Sequence, residues 1–305
     1  MLALVRSGWY QETAPEQFPA KPEVIRVTSG LVVVPVSVTD PGGNAVKDLG
    51  LEDFAVDDNG APVKVGYLGE PEATRLDMVL SFDVTISVRS YFKFEQNAAV
   101  GFLKTVLRPG DSVAILCIDS EPKIILKRSN LLSSALNGLD QITPSGTSTA
   151  FFDTIIAGAH MLRGPVDAGT RRVQIAFSDG EDNSSEQKLS EARREVQRAD
   201  CIFYSINPGG HSIHLNVISQ RGQEAMEALA AQTGGLAFIA SRPEDLAGLY
   251  ARIVTELQAQ YLLSYYSPSS KADDSFRSVM VRIPKHPEMR VRARQGYYPR
   301  GSSSH

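Results

Sequence analysis

The chain has 305 residues, a formal charge of -4 from 31 Lys+Arg against 35 Asp+Glu, and 42% hydrophobic with 22% charged residues. This composition belongs to a folded globular protein with a sizeable core, and it excludes a disordered chain, a collagen-like repeat and a disulfide-stapled miniprotein. The near balance of charge argues against holding nucleic acid by bulk charge. No run reaches the roughly 18 apolar residues that a membrane span needs.

Residues 1–22 read as an extended or disordered arm whose opening apolar run is too short for the core of a signal peptide. Residues 32–38 alternate around Pro35, and Asp40-Pro41-Gly42-Gly43-Asn44 predicts a turn. Residues 54–58 read as a strand that enters a hairpin through Asn59-Gly60, the pair that most favours a two-residue turn.

From residue 74 to 259 the pattern changes. Apolar runs at 77–83, 112–118, 123–126, 173–177, 201–206 and 236–240 are separated by helical periodicity at 91–106, 131–139, 150–162, 186–199, 223–232 and 244–258. Strands that are apolar throughout, alternating with helices, predict a mostly parallel sheet of six strands covered on both faces. Cys117 and Cys201 fall within these runs and read as buried strand residues. Beyond it, 261–266, 278–283 and 290–298 give three more strand patterns, with a loop at 268–275 and a low-complexity tail at 300–305.

Neither end has enough alternating apolar residues for its own core. The expected architecture is therefore a doubly wound α/β unit at 74–259, inserted into a small antiparallel β-sandwich. Residues 23–73 would form one half of the sandwich and 260–299 the other.

In open sheets of this kind, ligands sit at the carboxyl ends of the strands where the strand order reverses. Three loops would meet there. The first carries Asp83-Val84-Thr85-Ile86-Ser87, the second Ser145-Gly146-Thr147-Ser148-Thr149, and the third Ser178-Asp179-Gly180-Glu181-Asp182-Asn183. Carboxylates and hydroxyls without nitrogen or sulfur ligands suit a hard cation, and a site with only two acids leaves that cation with net positive character. Such an ion attracts an incoming carboxylate. Asp182 reads as a solvated loop acid and Asp153 as an outward-facing helix residue. The His211/His214 pair lacks the Cys or helical Glu-His context of a zinc site. No nucleophile elbow and no Gly-rich phosphate loop is present, so the chain does not read as an enzyme.

Those three loops resemble the metal-ion-dependent adhesion site of von Willebrand factor type A domains, whose pattern is Asp-x-Ser-x-Ser, then Thr, then Asp. Val38-Thr39-Asp40-Pro41-Gly42-Gly43, Glu52-Asp53-Phe54, Gln260–Tyr265 and Gly296-Tyr297-Tyr298 are similar to features of the acidobacterial group related to that family. The resemblance implies a ligand set of Asp83, Thr85, Ser87, Thr147 and Asp179 for Mg²⁺, with Mn²⁺ or Ca²⁺ as alternatives. It also implies a protein partner that presents an acidic residue, and an extracytoplasmic or secreted location. Two departures stand out. Thr85 keeps the hydroxyl of the family's first serine, and Ile86 replaces a small residue in the turn. A β-branched side chain disfavours positive φ, so a turn of different shape is expected there.

Overall fold

The computed structural model describes residues 30–69, 74–163, 170–209, 217–268 and 275–299. The predicted arm at 1–22, the tail at 300–305 and the His211/His214 pair lie outside them.

The first strands are β1 (Leu31–Thr39), β2 (Ala55–Asp58), β3 (Ala61–Val63) and β4 (Tyr67–Gly69). Between β2 and β3, Asn59 and Gly60 both take positive φ, 51° and 81°. That is the turn geometry the Asn-Gly pair favours.

The α/β unit follows as β5 (Leu76–Asp83), α1 (Phe92–Val106), β6 (Ser112–Ile118), β7 (Pro122–Ser129), α2 (Leu132–Asp140), α3 (Phe151–Leu162), β8 (Arg171–Phe177), α4 (Leu189–Ala199), β9 (Cys201–Asn207), α5 (Val217–Thr233), β10 (Ala237–Ile239) and α6 (Leu246–Ala259). Its sheet runs β10-β9-β8-β5-β6-β7. Every pairing is parallel except that of the edge strand β7 with β6. All residues of β5, β8 and β9 are buried, as strands covered on both faces require. Alternate residues of β5 feed two cores. Met78, Leu80 and Phe82 pack with α1, α2 and α6 on one face, while Val79 packs with α3, α4 and α5 on the other.

The C-terminal strands are β11 (Tyr261–Tyr266), β12 (Arg277–Arg282), β13 (Arg290–Ala293) and β14 (Gly296–Tyr297). They interleave with the N-terminal ones in two antiparallel sheets, β13-β1-β11-β4 and β14-β12-β2-β3. One core joins the two sheets: Val32, Val34, Val36 and Val38 of β1 meet Phe54, Val56, Tyr261, Leu263, Tyr265, Val279 and Tyr297. The pairing of β1 with β11, from Leu31 opposite Tyr266 to Val36 opposite Tyr261, brings chain segments on either side of the α/β unit together.

Three sequence expectations are corrected. The run at 290–298 is two strands in different sheets, because the chain crosses from one to the other at Arg294-Gln295. There the Gln295 amide donates to Gln232 at 2.9 Å and the Gln295 carbonyl accepts from Val279. The helix expected at 223–232 begins at Val217. Its first turn carries exposed apolar residues, which blur the periodicity. The helix expected from 186 begins at Leu189, since the backbone amides of Glu186 and Gln187 are held by the Asp153 carboxylate.

Candidate functional site

The sheet order reverses between β5 and β8, so the loops leaving these two neighbouring strands diverge to opposite faces and leave a crevice between them. Asp83, the last residue of β5, is buried there at 1% exposure. Its Oδ1 accepts the Thr85 amide at 2.9 Å and the Thr85 hydroxyl at 2.7 Å. Its Oδ2 accepts the Ser178 hydroxyl at 2.9 Å from the residue just beyond β8. Beneath them the rings of Phe82 and Phe177 stack with centroids 4.6 Å apart, which fixes the two strand ends side by side.

The second loop is tied to the first through the backbone. Ser145 and Gly146 donate to the Val84 carbonyl at 2.8 and 2.9 Å, and Ile86 donates to the Gly146 carbonyl at 2.9 Å. Thr147 follows at once and is exposed. The second loop is also tied to the third: the Thr149 amide donates to the Asn183 side chain at 2.8 Å, and Asn183 and Ser184 donate back to the Thr149 carbonyl. All three loops thus form one hydrogen-bonded rim.

Ile86–Val88 form a single 3-10 turn, and Ile86 does not take positive φ. The β-branched residue is accommodated by this turn with its side chain 51% exposed. Ser87 lies in the same turn; its side chain is outside the described part of the structure.

Asp179 is half-buried, and its Oδ1 accepts the Glu181 amide at 3.0 Å. Burial first, and then the carboxylates of Asp83 and Glu181, push its carboxyl up to about 6. Burial likewise raises Asp83, against the three hydrogen bonds that favour its charged form, with Glu181 adding a smaller upward push. The Tyr91 phenol is raised by burial and then by Asp179, Glu95, Asp83 and Glu181. Glu181 thus adds to both site carboxylates, and Asp83 to Asp179, a repulsion that a cation in the crevice would relieve. The donors are all oxygen, which fits Mg²⁺, Mn²⁺ or Ca²⁺. Among the described residues no three His, Cys, Asp or Glu side chains form a metal cage by themselves, so such an ion would depend on the hydroxyls as well.

Several contributors were not singled out from the sequence. Ser178 joins the two strand ends. Glu181 accepts the Ser219 hydroxyl, which pins the third loop to the first turn of α5. Gly180 takes φ +77°, and its backbone touches that of Gly222 so closely that a Cβ on either would lie 2.5 Å from the other. Asp182 is not a free loop acid: its Oδ2 accepts the Phe152 amide at 2.9 Å and the Ser185 hydroxyl at 2.5 Å, holding the start of α3. Asp153 is likewise occupied by Glu186 and Gln187 rather than facing solvent alone. The only signal for these contacts in the sequence is the density of small and hydroxyl residues in the third loop.

No family model and no curated protein matches the chain. Solved structures do. A von Willebrand factor type A protein from Catenulispora acidiphila superposes with a TM-score of 0.50 at 11% identity, over 83% of this chain and 69% of that one. The PilB minor pilin from Streptococcus sanguinis gives 0.47 at 13% identity, over 61% of this chain and 62% of the pilin. The conserved hypothetical protein BatB from Bacteroides thetaiotaomicron gives 0.46 at 14% identity, over 60% of this chain and 97% of that one. The chain thus has a fold like that of von Willebrand factor type A domains, and spans about three-fifths of the minor pilin that it matches.

Proposed function

We propose that this chain is a protein-binding module that holds a divalent cation, Mg²⁺ or in its place Mn²⁺ or Ca²⁺, at Asp83, Thr85, Ser87, Thr147 and Asp179. When bound, the cation supplies a positive, incompletely filled coordination sphere that a partner's carboxylate can complete. The observation that carries this reading is geometric: Asp83 at the end of β5 and Asp179 in the loop after the neighbouring strand β8 stand at the switch point, with the Thr85 and Ser178 hydroxyls bonded to Asp83. Thr85 and Ser178 orient Asp83, and the Glu181 amide orients Asp179. The likeness of fold to a von Willebrand factor type A protein supports the same reading. In this reading the chain is an adhesion-type module rather than an enzyme, and it acts outside the cytoplasm. Among the described residues no helix is long and apolar enough to cross a membrane.

Thermal unfolding in Mg²⁺ against EDTA tests the reading. A ligand of the native state raises the transition by mass action. The wild-type chain gains a Tm increment in millimolar Mg²⁺, and Asp179→Ala loses it. The absence of any increment in the wild type sinks the proposal.

A second reading is favoured by one observation: both oxygens of Asp83 already accept internal hydrogen bonds. A scaffold with a degenerate site would use those bonds only to join β5 to β8. Partner binding that is unchanged in EDTA would select it. A Mg²⁺-dependent hydrolase or phosphotransferase acting at Asp83 has no such support.

A further inference from the structure

We infer that the Tyr91 hydroxyl is the hydrogen-bond donor that receives the captured carboxylate, taking the oxygen that the cation leaves free. The inference deepens the reading above and rests on it.

Tyr91 immediately precedes α1, on the chain that leaves β5 through Thr85 and the 3-10 turn. Its hydroxyl lies 3.6 Å from the place a Cβ on Gly209 would take, and Gly209 stands just past the end of β9 at Asn207. In the sheet, β8 runs between β5 and β9. The side chain therefore spans the carboxyl end of β8, the strand that delivers Ser178 and Asp179. The charges that act on the phenol agree with this placement. Among the carboxylates Asp179 acts most strongly, followed by Glu95, Asp83 and Glu181. The ring packs against the core beneath α1, and the residue keeps a partly exposed surface.

The donors around the crevice are otherwise committed. The hydroxyls of Thr85 and Ser178 both donate to Asp83, and that of Ser219 donates to Glu181. Ser87 and Thr147 belong to the proposed ligand set. A hydroxyl has one proton and donates once. The Tyr91 hydroxyl makes no hydrogen bond to a described residue, and the carboxylates act on it through charge alone. Of these groups it is therefore the one whose proton is open to a ligand. Burial and the surrounding carboxylates also keep the phenol protonated, so it is always a donor.

The need for such a donor follows from the cation. A carboxylate that binds a hard cation through one oxygen keeps open lone pairs on the other. In a crevice lined by acids that second oxygen is repelled, and leaving it dry and unbonded is costly. Tyr91 bonds it without bringing a charge that would compete with the cation for Asp83 and Asp179.

The test uses the whole chain with its tyrosines carrying ¹³C at Cζ. It is loaded with Mg²⁺ and titrated with acetyl-Gly-Glu-Gly-amide or its glutamine counterpart acetyl-Gly-Gln-Gly-amide. The Tyr91 signal, identified by its loss in Tyr91→Phe, is expected to move with the glutamate peptide and to stay in place with the glutamine one. Tyr91→Phe keeps the ring and removes the oxygen, and it is expected to bind the glutamate peptide roughly tenfold more weakly, read from the Gly180 amide signal. The shift in the wild type needs no variant, so it decides the matter even if Tyr91→Phe folds poorly. A still Tyr91 signal, no binding of the glutamate peptide, or equal affinity in the two proteins overturns the inference. A Tyr91 signal that moves with Mg²⁺ alone and not further with peptide also overturns it, because the phenol then serves the hydration shell of the ion. Each of these outcomes leaves the cation reading intact where the wild type gains Tm in Mg²⁺. A wild type with no such gain removes the cation reading itself.

Discussion

The hydroxyl of Ser178 donates to Oδ2 of Asp83 at 2.9 Å, joining the residue after β8 to the last residue of β5 across the reversal in strand order. Ser178 is fully buried, and its own hydroxyl oxygen accepts the Gly180 amide at 3.0 Å. One small side chain therefore positions a site carboxylate and the loop that carries Asp179. Hydrogen bonds to a charged group contribute about 1.5–3 kcal/mol. Ser178→Ala is expected to lower stability by about 2 kcal/mol in urea unfolding at neutral pH. It also removes a bond that favours the charged form of Asp83, so the Mg²⁺ concentration needed for half of the Tm increment rises. An unchanged midpoint in both measurements would show that Ser178 is passive.

A second carboxyl group lies deeper. Glu95 on α1 is fully buried beside the core that holds Phe82, Phe102 and Tyr250, and neither of its oxygens has a hydrogen-bond partner among the described residues. Burial, and then the charge of Asp83, hold its carboxyl well above the ordinary range. A raised carboxyl binds a proton more tightly in the folded state than in the unfolded one. Stability is therefore lost as pH rises above the unfolded value, and it is regained on acidification. Glu95→Gln keeps the shape without the charge. It should stabilise the chain by about 1–3 kcal/mol at pH 7.5, and the gain should shrink as pH is lowered toward 4.5. Urea titrations at both pH values decide the matter: a gain independent of pH would show that the carboxyl is not the cause.

The contact of Gly180 with Gly222 yields a steric prediction. An added Cβ on Gly222 would lie 2.5 Å from the Gly180 carbonyl carbon and 2.8 Å from the Asp179 carbonyl oxygen, both backbone atoms that cannot swing aside. Overpacking of this kind costs typically 1–3 kcal/mol. Gly222→Ala should fall at the upper end of that range and should weaken Mg²⁺ binding, because α5 must move away from the third loop. Gly248→Ala, on the exposed side of α6 with open space around it, is the control and should leave both properties near wild type.

These contacts mark where sequence reasoning stops. The strands β5, β6, β8 and β9 were legible because strands covered on both faces are mostly apolar, even though buried polar residues such as Ser81, Gln174 and Ser205 interrupt them, and the loops carrying Asp83 and Asp179 were legible from their place at the ends of such runs. The Asn59-Gly60 hairpin was legible because few other residue pairs accept two positive φ values. What escaped depends on partners far along the chain. Ser178 meets Asp83, Gly180 meets Gly222, and Asp182 meets Phe152; nothing in the local pattern of either partner announces the other. The strand β4 has three residues, too few to show a period, and the split of 290–298 between two sheets turns on the contact of Gln295 with Gln232.

Asp182 supplies a last prediction. The residue that precedes α3 is Ala150, which has no side chain able to cap the helix. The free amides of the first turn are satisfied from the third loop instead, Phe152 by Asp182 at 2.9 Å and Asp153 by the Ser185 hydroxyl at 3.1 Å, with Ser185 itself held by Asp182. The negative charge also lies at the positive end of the helix dipole. Loss of a helix cap costs about 1 kcal/mol, up to about 2 where the cap is part of a larger network. Asp182→Ala should therefore destabilise by about 1–2 kcal/mol and speed amide exchange at Phe152 and Asp153. Asp182→Asn retains an acceptor oxygen and should cost distinctly less. Because the same contact ties the third loop to the start of α3, which directly follows the second loop, the alanine variant should also blunt the Mg²⁺-induced rise in Tm, although Asp182 is not among the proposed ligands. If exchange at Phe152 is unchanged in the alanine variant, the cap is supplied from elsewhere and the third loop is not held to α3 through Asp182.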